Sequence, residues 1–78
     1  MFIELTHWGG AKVDIKIDQI TYICDAYDSE AYREGKFKAE VHLLNGERLQ
    51  TAEDRNAIKA LIQVELANEI LEPLGMGL

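Results

Sequence analysis

The sequence predicts an α+β fold: a small antiparallel β-sheet of about five strands followed by one C-terminal α-helix. Three observations predict it. Lys12 to Asp18 alternates strictly between charged and apolar residues, the period of a half-buried strand. Asn45-Gly46 lies between apolar-rich runs, the strongest short hairpin signal. After Thr51 the apolar residues switch to helical spacing, which places a helix at about 52–72 and a tail at 73–78.

Each element follows in order. Phe2 to His7 is rich in strand formers, and Gly9-Gly10 separates it from the strand with Val13, Ile15 and Ile17 inward. Asp18-Gln19 makes a corner. Ile20 to Tyr27 is the third strand, expected to place Ile20, Tyr22, Cys24 and Ala26 on one face. Asp28 to Lys36 is polar and reads as a loop. Phe37 to Leu44 is the fourth strand, with Phe37, Ala39, Val41 and Leu43 inward. A type I′ turn at Asn45-Gly46 needs positive φ at both residues and leads into the fifth strand. Thr51 with Asp54 resembles a capping box, and Pro73 and Gly75 stop the helix. The expected core is Val13, Ile15, Ile17, Ile20, Val41, Leu43, Leu49, Ile58, Leu61 and Ile62.

Seventy-eight residues make one thin-cored domain. Cys24 is the only cysteine, so no internal disulfide can staple it. The net charge of −6, from 8 basic and 14 acidic residues, disfavours direct nucleic-acid binding and anionic membranes. A basic protein partner is compatible. No apolar run reaches the length of a membrane span. No leader pattern opens the chain, which argues for the cytoplasm.

No phosphate loop, HExxH or cysteine pair occurs. Cys24, read on an inward face, behaves as a small hydrophobe. His7, His42 and Cys24 match no zinc spacing and fall on three different strands. The reading is therefore not an enzyme, with no cofactor and no metal.

The helix pattern is more informative. At about 100° per residue, Ile58, Leu61 and Ile62 share a face that continues through Glu65, Glu69 and Glu72. Leu66, Ala67, Ile70 and Leu71 point roughly the opposite way. One helix on one sheet cannot bury both faces. The expectation is a homodimer whose interface uses Leu66, Ile70 and Leu71. Glu65, Glu69 and Glu72 then form either a solvated ridge or a seat for a basic partner. Trp8, at a turn, either covers the end of the core or joins Tyr27 and Tyr32 as a partner-binding residue. Tyr32 is expected to be exposed, with Ser29, Glu30, Arg33 and Glu34 around it.

Phe2-Ile3-Glu4-Leu5-Thr6, Asp18-Gln19-Ile20-Thr21-Tyr22-Ile23 and Val41-His42-Leu43-Leu44-Asn45-Gly46 follow one another in the order strand, corner, hairpin. Over residues 1–62 this layout resembles the FlbD family of small bacterial flagellar and swarming-motility proteins. Gly9-Gly10 replaces that family's Asn-Gly turn, the loop from Asp28 to Lys36 is longer, and the acidic tail is extra. The resemblance implies a non-enzymatic accessory role and carries no catalytic residues.

Together these readings predict a small acidic accessory protein that binds another protein and self-associates. The runner-up is a phage- or mobile-element-encoded inhibitor that occupies a basic nucleic-acid-binding site on a host protein. A third reading is a dimer that binds a small ligand between its subunits.

Overall fold

The computed structural model describes the backbone of residues 1–76 and the side chains of residues 1–68. The strands are β1 (Phe2–Thr6), β2 (Lys12–Lys16), β3 (Ile20–Cys24), β4 (Ala39–Leu43) and β5 (Arg48–Thr51). A four-residue helix, α1 (Glu30–Arg33), lies between β3 and β4, and α2 (Arg55–Met76) follows β5. The class is α+β and antiparallel, but the strands divide between two sheets rather than forming one. β1 pairs with β2, and β3-β4-β5 form the second sheet. A 3-10 turn at Ile17–Gln19 makes the corner between them.

The sheets meet where β1 ends. His7 bridges to Thr51. Trp8 N–H donates to the Gln50 carbonyl at 3.2 Å, and Ala52 N–H donates to the Thr6 carbonyl at 2.8 Å. The Glu53 side chain accepts from Thr6 N–H at 2.8 Å. Thr51, fully buried at this joint, has its hydroxyl 2.8 Å from the Glu53 carbonyl and 3.3 Å from that of Ala39. Its single proton serves one of them at a time.

Both hairpins close with three-residue loops. Gly10 (φ +101°) donates to the His7 carbonyl, and Gly46 (φ +90°) donates to that of Leu43. Only a glycine takes these left-handed positions without strain. The Asn45-Gly46 turn is therefore not type I′, because only Gly46 has positive φ. It is a tight turn followed by a left-handed glycine, the usual three-residue hairpin.

The expected loop at residues 28–36 contains α1, and local chemistry explains it. Ser29 Oγ accepts from Tyr32 N–H at the start. At the end, Gly35 N–H donates to the Tyr32 carbonyl and Lys36 N–H to that of Ala31, the paired bonds of a glycine-terminated helix.

Ile3, Leu5, Ile15, Ala39, Val41 and Ile58 form the buried cluster, with Val13, Ile17, Ile20, Ile23, Leu43, Leu49 and Ile62 packed against it. Ile3 faces Ile15, and Leu5 faces Val13. The register of β3 corrects the expected alternation. Ile20 pairs with Leu43 but Tyr22 with His42, so Thr21 is the extra residue of a bulge. From there the faces exchange. Ile23 turns inward opposite Val41, while Tyr22 and Cys24 turn outward.

Asp54, not Thr51, starts α2: its Oδ1 accepts from Ala57 N–H at 2.8 Å. The helix packs against β1 and continues to Met76, past the expected stop at Pro73. Leu61 is 38% exposed and not part of the core. Among the described residues no helix is long and apolar enough to cross a membrane.

Candidate functional site

The outward face of the three-stranded sheet gathers the chain's chemistry. Strand pairing sets Tyr22 beside His42, Cys24 beside Glu40, His42 beside Arg48 and Glu40 beside Gln50. At the centre is Glu40, only 7% exposed although it faces away from the core. A buried carboxylate needs partners, and this one has three. His42 Nε2 lies 2.8 Å from its Oε1, Gln50 Nε2 is 3.4 Å from its Oε2, and Arg48 Nη1 stands 4.0 Å from Oε1. The Tyr22 ring stacks on the His42 imidazole at 4.2 Å and 13°, holding its plane. Burial raises the Cys24 thiol above its ordinary pKa, and the Glu40 charge raises it further.

A second cluster ties the end of β3 to the start of α2. Arg55 Nε donates to Asp25 Oδ2 at 3.0 Å, and Tyr27 Oη donates to the same oxygen at 3.2 Å. The hydrogen bond from Arg55 holds the Asp25 carboxyl below its ordinary value of 3.8. A depressed folded pKa contributes stability that is present above the ordinary value and lost as pH falls through the folded one. Unfolding followed below about pH 4 should show a shallower acid limb for Arg55→Ala than for the wild type. Parallel limbs would mean that the pair contributes nothing.

The residues singled out from the sequence are dispersed. Trp8 is exposed on the first hairpin loop, its ring 6.0 Å from that of His7. Tyr27 is exposed, but Tyr32 is half-buried, its ring edge-on to both Tyr27 and Phe37. Leu66 is 42% exposed and Glu65 half-buried. Ile70, Leu71, Glu69 and Glu72 lie outside the residues whose side chains are described. Sequence reading set Cys24 and His42 apart and missed Glu40. The available signal was Glu40-Val41-His42, two polar residues flanking an inward valine. The Thr21 bulge hid the matching face of β3.

No family model matches this chain, and comparison with curated proteins and solved structures finds no similar one.

Proposed function

We propose that the chain is a non-enzymatic interaction protein that works as a homo-oligomer, paired through an exposed side of α2. The observation that supports this reading is the course of that helix. Its 22 residues span about 33 Å, yet burial fades after Ile62. Val64 is 57% exposed, and Leu61 and Leu66 are exposed as well. A helical segment with so little packing over its described residues 63–68 is marginal in water, which favours a partner that covers it.

A second copy is the partner that fits. Ala57, Leu61, Val64 and Asn68 are all exposed, and they recur at intervals of four, three and four residues. That spacing makes the seam of paired helices, where one asparagine among apolar residues fixes register. Leu61 and Val64 thus mark a different side of the helix from Leu66, on which, with Ile70 and Leu71, the sequence reading centred.

Light scattering at high micromolar concentration tests the proposal. The expected mass is at least twice the 8.8 kDa of one chain, falling to one chain in Val64→Glu and unchanged in Leu66→Glu. A wild-type mass near 8.8 kDa would overturn the oligomer. Dissociation by Leu66→Glu alone would move the interface to the other side of the helix.

A further inference from the structure

We propose that Cys24, Glu40 and His42 form a three-ligand site for a divalent cation of borderline softness, Zn2+ in the first place. The site is independent of the helix pairing. Cys24 stands directly opposite Glu40 across the β3–β4 ladder, and His42 lies two residues along on the same face. One donor atom from each gathers within 4.8 Å of the other two.

The donor chemistry selects the ion. A thiolate, an imidazole and a carboxylate are zinc's own ligand types, whereas calcium and magnesium take oxygen. Around a tetrahedral zinc, donors at the usual bond lengths lie about 3.3–3.6 Å apart. The widest separation here would contract by about 1 Å. The Nε2–Oε1 pair at 2.8 Å would open slightly as the ion replaces that hydrogen bond.

The surroundings are already those of a metal's supporting groups. Gln50 holds the second carboxylate oxygen, as outer groups do for metal ligands, and the Tyr22 ring stacks on the imidazole. Arg48 opposes a cation, but its side chain is mostly exposed and free to turn into solvent. Charge closes the case. A buried carboxylate and a thiolate together carry −2, which a divalent ion cancels while the thiol proton passes to solvent. Water completes the fourth position. The bound ion would clip the end of β3 to β4 and raise the unfolding temperature.

Co2+ added to the metal-stripped protein is the probe. One equivalent should bind with a thiolate-to-cobalt charge-transfer band in the near ultraviolet, and Zn2+ should displace it. Cys24→Ser should abolish the band. His42→Ala and Glu40→Gln should each weaken binding by about tenfold or more, and His7→Ala should leave it unchanged. Far-ultraviolet circular dichroism checks that every variant folds, and Cys24→Ser and Glu40→Gln preserve side-chain shape. Absence of the band at millimolar Co2+ would overturn the site. So would a band of full strength and affinity in folded His42→Ala or Glu40→Gln, which would mark a lone thiol adduct.

Discussion

Ile58→Ala should lower the unfolding free energy by about 2–5 kcal/mol, while Leu61→Ala, three residues on, should cost about 1 kcal/mol or less. The contrast comes from where α2 meets β1. Ile58 is fully buried in the cluster with Leu5 and Val41, so truncating it leaves a cavity that rigid neighbouring strands cannot fill. Leu61 lies to the side of that contact and keeps access to water. A small domain has only about 5–15 kcal/mol in total, so the Ile58 variant should be visibly less stable in urea. Both variants should be compared at the same low micromolar concentration, because Leu61 also lies on the proposed pairing seam. Equal losses would put Leu61 in the core after all.

Phe37→Ala should be as damaging, at about 3–5 kcal/mol. Phe37 is 1% exposed, and it enters the sheet just ahead of β4. Its ring receives the edge of Tyr32 at 5.7 Å, and Tyr32 in turn receives Tyr27 at 5.4 Å. Through Tyr32 the rings tie α1 to the residue that leads into β4. Removing the innermost should release the other two, so the near-ultraviolet circular dichroism of the tyrosines should collapse along with the urea midpoint. Tyr27→Ala removes only the exposed end of the row and should cost about 0.5–1.5 kcal/mol. A Phe37→Ala loss no larger than that of Tyr27→Ala would remove the ring from the core.

Sequence period proved a good guide where a strand is regular. Val13, Ile15 and Ile17 face inward as their alternation requires, and both glycine-bearing turns close hairpins. Ile3 and Leu5 also alternate, and the structure adds them to the core. Reading failed where one residue changed the count. Thr21 is an ordinary strand former, and nothing in its identity announces a bulge. Yet that bulge turned Cys24 outward and placed it beside Glu40. The outward placement of Glu40 could be read from Glu40-Val41-His42, but its burial could not, because that depends on neighbours from two other strands. The helix was legible in its period but not in its orientation. Ile58, Leu61 and Ile62 share one broad face, and only packing on β1 decides that Leu61 falls at its margin. Helix α1 could have been read from Ser29 and Gly35, whose cap and stop roles are local.

The same bulge has a bearing on solubility. β3 and β5 are the outer strands of one sheet and β1 and β2 those of the other. β1 and β5 meet near the His7–Thr51 bridge, whereas β3 and β2 are the far rims, and an outer strand offers unpaired backbone groups to any passing chain. An inserted residue twists the β3 rim and breaks the straight run of groups that strand-to-strand stacking needs. The β2 rim is guarded differently, by the exposed charges of Lys12, Asp14 and Lys16, which would have to be matched in register by any chain laid alongside. Blunted rims disfavour open-ended strand stacking and leave closed association, such as the proposed pairing along α2, as the compatible alternative.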